Sequence, residues 1–178
     1  MTRPSYAQAL ARSDALARLA LFDPHVVGTP PLGIDLPASD IDIVCEAPDL
    51  PAFAAHLRAA FCDEADFALH ERPDLDAVIA SFTAHGWPFE IFGQNRPIAR
   101  QDGWRHFQIE ERLLRIGGTR LRAAIVDLRH SGLKTEPAFA SLLGLAGDPY
   151  AALLELDSES DACLRDRLAA INLADAQE

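Results

Sequence analysis

Lysine is almost absent from this chain of 178 residues. Lys134 is its only one, and arginine carries the rest of the positive charge. Cysteine is scarce too: Cys45, Cys62 and Cys163 are odd in number, far apart and without a CxxC pair. That pattern speaks against a disulfide framework and a zinc knuckle, and makes a reducing cytoplasm the expected setting. No apolar run reaches the roughly 18 residues that a membrane-spanning helix needs, so no membrane partner is expected. The opening MTRPSYAQALARSDALAR lacks an apolar segment leading to a small-residue cleavage site, so no secretory signal is expected. Internal repeats and low-complexity stretches are missing as well. What is present is a 49% apolar composition, enough for a sizeable core in one domain, or in one domain with a helical extension.

Positive charge as a whole is in short supply. The 16 basic residues stand against 27 acids, a net charge of -11. A chain so acidic is a poor general binder of nucleic acid, because phosphate contacts need Lys and Arg. The deficit is uneven. Between Arg18 and Arg58 there is no Lys or Arg, while Asp23, Asp35, Asp40, Asp42, Glu46 and Asp49 follow one another. From Arg96 to Lys134 the balance reverses, with nine bases against Asp102, Glu110, Glu111 and Asp127. The stretch from Glu155 to Glu178 is acidic again and reads as a solvated surface. An acidic segment followed by a basic one suits a metal-phosphate site, and it also suits an ordinary charged surface.

The pattern along the chain predicts an α+β organisation. Tyr6, Leu10, Leu16, Leu19 and Phe22 fall roughly on one helical face, and Asp23-Pro24 ends it. His25–Gly28 is a short β-prone run, followed by a loop rich in Gly and Pro. Asp40–Cys45 alternates polar and apolar and reads as a strand. Asp49 is a suitable N-cap for a helix through Phe53, Leu57 and Phe61. Residues 76–83 and 87–92 flank Ala84-His85-Gly86 and predict a hairpin. From about Arg105 the periodicity is helical, with a stop at Gly117-Gly118, which lacks the phosphate-loop pattern. Further helices are expected over 119–130, 137–145, from Asp148-Pro149 onward, and over 158–173. The plan is a small α+β core over 1–97 and a helical part over 98–178.

Asp40 and Asp42 carry the chemistry. Two residues apart on a strand, their carboxylates project from one face, while Ile41 and Ile43 point to the core. Two such carboxylates repel unless a cation sits between them, and magnesium prefers hard oxygen ligands. A pair of such ions about 3.5–4 Å apart can clamp the two oxygens of a phosphoryl displacement. Upstream, Gly28-Thr29 can offer backbone N–H groups and a hydroxyl to a phosphate. Downstream, Glu90 lies between Phe89 and Ile91 and points opposite to them, so it can complete a carboxylate triad if its strand lies beside Asp40-Asp42.

Val27-Gly28-Thr29, ten residues, then Asp40-Ile41-Asp42-Ile43 resembles the signature of the nucleotidyltransferase superfamily typified by DNA polymerase beta. The resemblance implies a mixed, mainly antiparallel sheet with helices on one face and a helical C-terminal part. It implies that Asp40 and Asp42 bind magnesium (or manganese), that Glu90 is the third catalytic and metal-binding carboxylate, and that Gly28 and Thr29 meet the triphosphate. Thr29 departs from the serine that is usual there; it keeps the hydroxyl and crowds the turn. The segments GTPPLGIDLPASDIDIVCE, FEIFGQ and LKTEPAFASLLGLAGDPY are similar over nearly the whole chain to the bacterial family catalogued as domain of unknown function 4269, itself grouped with minimal nucleotidyltransferases.

Other residues have two readings each. Arg96 and Gln94 follow the strand of Glu90 and can meet nucleotide, or stand in a solvated loop. Lys134 can place an ammonium on a phosphate, or be a plain surface lysine. Asp35 is chiefly a turn residue. His106 and Glu110, four apart, read as a pair on a helix surface. The Trp and Phe residues read as core. The function expected is magnesium-dependent transfer of a nucleoside monophosphate from an NTP to a hydroxyl of a small acceptor. The alternatives are a nucleotide-sensing or partner-binding protein on the same fold, and a metal-dependent phosphohydrolase.

Overall fold

The computed structural model describes residues 3–171. The chain forms two compact units, one of Met1–Pro31 with Ala38–Trp104 and the other of Leu32–Pro37 with Arg105–Glu178. The sequence places its boundary at 97/98; the units part between Trp104 and Arg105, and the loop 32–37 goes with the helical one. No helix among the described residues is long and apolar enough to cross a membrane.

The first unit opens with helices α1 (Tyr6–Ser13) and α2 (Ala15–Arg18). Ser5 caps α1 with a full capping box, its hydroxyl accepting from the Gln8 N–H and its own N–H donating to the Gln8 side chain. Strand β1 (His25–Val27), the single turn α3 (Thr29–Leu32), strand β2 (Ile41–Glu46) and helix α4 (Leu50–Phe61) follow. Asp49 accepts from the Ala52 N–H, with Pro51 in the first turn of α4, as its sequence predicts. Strands β3 (Ala65–Arg72), β4 (Ala77–Ala84) and β5 (Trp87–Gln94) complete a five-stranded sheet of order β1-β2-β5-β4-β3. Only β2 and β5 run parallel; the other neighbours are antiparallel.

The β4–β5 connection is a two-residue turn in which both His85 and Gly86 have positive φ, 51° and 81°. That pairing matches the right-handed twist of the strands it joins. The sheet buries one face. Ile41, Ile43 and Cys45 of β2, Phe89 and Ile91 of β5, and Val78, Ala80 and Phe82 of β4 form a core with Phe53, Leu57 and Phe61 of α4. Each of the large side chains contributes about 1.5–3 kcal/mol by leaving water. Phe82 stacks on Phe61 and on Phe89, with centroids 4.9 Å apart in both pairs. A Cβ at Gly93 would strike the Phe53 ring, so a glycine in mid-strand lets α4 approach the sheet.

Strand β3 has no counterpart among the sequence expectations. Its side chains are exposed or half-buried, as suits an edge strand, and so it shows no clean alternation.

In the helical unit, α5 (Asp102–His130) begins in the first unit and is broken at Gly118, whose φ of 65° and ψ of −153° are not helical. The expected stop at Gly117-Gly118 is therefore real, with a helix resuming directly beyond it. Helices α6 (Thr135–Leu143), α7 (Pro149–Glu155) and α8 (Asp161–Ala169) follow. Asp148 and Ser160 cap α7 and α8 through their side chains. The expected last helix was to reach residue 173, which lies outside the described residues. The core of this unit gathers Ile109, Leu113, Leu121, Ile125, Phe139, Leu153 and Leu164. Arg122 and Arg129 donate to the carbonyls of Leu32 and Ile34, which ties the loop 32–37 to α5.

Candidate active site

The face of the sheet opposite the aromatic core carries the acids. In register, Asp42 of β2 pairs with Glu90 of β5 on one side and with Val27 of β1 on the other. Paired residues on neighbouring strands project to the same face, so the sheet sets the two carboxylates side by side. Ser81 of β4 stands next to Glu90 in the same row. Further along that face, Val44 is buried, and Gly103 at the start of α5 lies close over it: a Cβ there would meet Val44 at 3.6 Å. Gln101 holds this cover in place, its amide donating to the carbonyls of Cys45 and Arg96, each at 2.9 Å.

Asp40 lies one residue before β2 and is half-buried, so it lacks the ladder that fixes Asp42. Its charge still reaches Glu90. The Glu90 carboxyl is raised above the usual glutamate value, first because its neighbours strip water from it and second because Asp40 is negative. As a residue Glu90 is exposed, so the carboxyl keeps access to solvent.

Gly28 has a φ of +78°, and a Cβ there would run into the Asp42 carboxylate. Only glycine can close the β1–α3 turn this tightly against an acid. Thr29 follows, buried, with its hydroxyl donating to the Ser39 hydroxyl at 3.2 Å. Ser39, also buried, is the residue before Asp40, and its carbonyl accepts from Arg3 at 2.6 Å. Neither Ser39 nor Arg3 belongs to a motif in the sequence; the one local signal is a serine directly beside the first acid.

The remaining candidates divide. Gln94 is buried and its amide donates to the Leu75 carbonyl at 2.7 Å, which makes it a strap between β5 and the turn before β4. Arg96 is exposed and its guanidinium donates to the Arg100 carbonyl at 3.3 Å. Lys134 is exposed at the N-terminal end of α6 in the helical unit, and Asp35 is exposed in the loop of that unit. His106 and Glu110 are a correction. They do not form a surface pair: both are buried, at 8% and 4% exposure, and the His106 ring bonds the Tyr150 carbonyl at 3.0 Å. The polar letters concealed a face of α5 that packs inward. Trp87 and five of the phenylalanines (Phe53, Phe61, Phe82, Phe89, Phe139) are buried, as expected of core residues.

Among the described residues, no group of three or more His, Cys, Asp or Glu side chains is drawn close enough to hold a metal ion as it stands. The donor set nevertheless fits a hard divalent cation: the acids Asp42 and Glu90 stand side by side in register, and Asp40 adds its negative charge to Glu90.

Comparison with solved structures places the fold among the nucleotidyltransferases. The Cid1 poly(U) polymerase with MgGTP bound superposes with a TM-score of 0.59 at 14% identity, over 86% of this chain and 49% of that one. A cytoplasmic RNA terminal U-transferase gives a TM-score of 0.55 at 15% identity, over 86% and 48%. Cid1 in complex with the UTP analogue UMPNPP gives 0.54 at 14%, over 86% and 48%. The chain spans about half the length of these structures. No curated protein matches. A family profile described as domain of unknown function (DUF4269) matches residues 8–156, which runs from within α1 to the end of α7 and includes Asp40, Asp42 and Glu90, and the chain belongs to that family.

Proposed function

We propose that this chain is a magnesium-dependent nucleotidyltransferase that moves a nucleoside monophosphate from an NTP to a hydroxyl of a small acceptor. The observation that carries the reading is the register of Asp42 against Glu90, with Gly28 closed onto the Asp42 carboxylate. The fold shared with solved nucleotidyltransferases supports it.

Asp40, Asp42 and Glu90 would hold the metal. Bound magnesium supplies charge neutralisation at the phosphates and orients their oxygens. The protein's own part is positioning. Gly28 keeps Asp42 in place, and the backbone of the Gly28-Thr29 turn faces the triphosphate. Glu90 accepts the proton of the acceptor hydroxyl as a general base. The acceptor oxygen bonds to the α-phosphorus as the bond to pyrophosphate breaks. Arg96 and Lys134 are assigned to the phosphates by charge alone. The Gln94 amide N–H is already engaged at the Leu75 carbonyl.

The acceptor is assigned as small because the net charge of -11 opposes a long polyanion. The structural neighbours are named for poly(U) polymerase and RNA terminal transferase activity, so RNA is the comparison arm of the test. The protein is incubated with α-labelled NTPs, magnesium or manganese, and either a small-molecule extract or short RNA. Label in a small product with release of pyrophosphate is the expected result. Label on RNA overturns the small acceptor. Free phosphate in place of pyrophosphate identifies a phosphohydrolase, and tight binding of NTP without turnover in any arm identifies a sensor.

A further inference from the structure

Asp42 is fixed by strand pairing on both sides, whereas Asp40 precedes β2 and is held by no ladder. Something else must set its position, and the contacts around Ser39 supply it. We infer that Arg3 is a positioning residue for Asp40, acting through a strap of residues 3–5 laid across the β4–β5 turn.

Arg3 donates through Nη2 to the Ser39 carbonyl at 2.6 Å. That oxygen belongs to the peptide group joining Ser39 to Asp40, and the group is planar, so holding the oxygen restrains where the nitrogen and Cα of Asp40 can lie. The same guanidinium lies over the Trp87 ring, with its carbon 3.2 Å from the centroid. Trp87 is buried and opens β5, the strand that carries Glu90. Its indole N–H donates back to the Pro4 carbonyl at 2.9 Å. A Cβ at Gly86 would come within 3.8 Å of Pro4 and 3.9 Å of Arg3, which places the strap over the turn. The capping box of Ser5 anchors the strap to α1. On the other side of Ser39, the Thr29 hydroxyl donates to its hydroxyl. Ser39 is thus gripped at its carbonyl by Arg3 of the strap and at its hydroxyl by Thr29 of the β1–α3 turn. The effect is to lock the Asp40 segment to the strand of Glu90.

Arginine suits this place because a planar guanidinium stacks on an indole and donates in its own plane at the same time. Lysine can keep the cation over the ring and one donor, without the flat stack.

The link from strap to nucleotide rests on the function proposed above, and the test separates the two. Amide NMR signals are compared for the wild type, Arg3→Ala and Arg3→Lys, together with calorimetry of manganese with ATP, GTP, CTP and UTP. Arg3→Ala is expected to move the amides of Ser39 and Asp40 and the indole signal of Trp87, and to weaken Mn·NTP binding roughly tenfold, the loss typical of a residue that orients a metal ligand. Arg3→Lys is expected to recover part of that affinity. A wild type that binds no Mn·NTP defeats the functional reading, and the amide shifts still judge the strap. An unmoved Asp40 amide in Arg3→Ala overturns the inference, as does a shifted amide with unchanged affinity. If Arg3→Ala does not fold, Trp87→Phe, which keeps a ring under the guanidinium and loses the indole N–H, is expected to move the same Asp40 amide. Absence of that movement overturns the inference equally.

Discussion

Asp42 and Glu90 occupy paired positions on the only two parallel neighbours in the sheet, β2 and β5. They are 48 positions apart in the sequence, yet the register makes them adjacent on one face. Replacing Asp42 by Asn keeps the shape and removes one charge from that row. Calorimetry should show Mn·NTP binding lost in Asp42→Asn, and unchanged affinity would remove Asp42 from the site.

Gly28→Ala tests the closeness of the β1–α3 turn. The substitution carries two penalties, a positive φ and a collision with the Asp42 carboxylate. The backbone part costs about 1 kcal/mol. At this chain length that lowers the melting midpoint by about 2–4 °C. The displaced carboxylate should weaken Mn·NTP binding by roughly tenfold or more. A variant that melts lower but binds as the wild type does would show that the turn serves folding alone.

Glu110 predicts a pH dependence of stability. Burial first, then the charge of Glu136, raise its carboxyl well above the usual glutamate value, and Arg129 offsets part of the rise. Its Oε1 has no hydrogen-bond partner. A carboxyl whose folded value is raised binds its proton more readily in the folded state. The penalty is therefore absent below the ordinary glutamate range, grows as pH rises toward the folded value, and is full above it. Glu110→Gln should raise the melting midpoint at neutral pH and leave it nearly unchanged at acid pH. Differential scanning calorimetry across pH 4–8 reads the difference, and an equal shift at every pH would assign the effect to packing.

Glu90 has the same sign for a different purpose. Its rise comes from partial loss of water and from Asp40, so Asp40→Asn should lower the Glu90 carboxyl toward its ordinary value. Carboxylate NMR titration of Glu90 in both proteins measures this, and an unchanged titration would separate the two acids.

The thiols divide by burial. Cys45 is enclosed in the sheet core, and burial, aided by Asp23, pushes its pKa up to about 12. Cys62 and Cys163 are exposed. A thiolate is the reactive form. Iodoacetamide should modify Cys62 and Cys163 in the folded protein, with Cys45 joining only on denaturation. Modification of native Cys45 would show that β2 opens.

Much of the acidic row was legible in the chain itself. The alternation that begins at Ile41 and the position of Glu90 between Phe89 and Ile91 fix which way Asp42 and Glu90 point, because side chains alternate along a strand; Asp40, one residue ahead of β2, lies outside that pattern. The strength of Asp49 as a helix cap, of Asp148-Pro149 as a helix start and of Ala84-His85-Gly86 as a turn is equally local, since each depends on a few neighbouring backbone groups. Where the signal was not local, the sequence was silent or misleading. Strand β3 owes its place to pairing with β4, and its exposed edge carries no alternation to read. His106 and Glu110 look like surface residues by type, and only the packing of α5 against the rest of its unit turns them inward.

The sequence by itself determined the residue types, their spacing and the face to which Asp42 and Glu90 belong, since these follow from backbone geometry over a few residues. The tertiary structure alone decided that β5 lies beside β2, that Gly28 closes on Asp42, and that Arg3 reaches Ser39. Those relations join segments tens of residues apart, and they are set by how the buried face of the sheet packs, which no local pattern encodes.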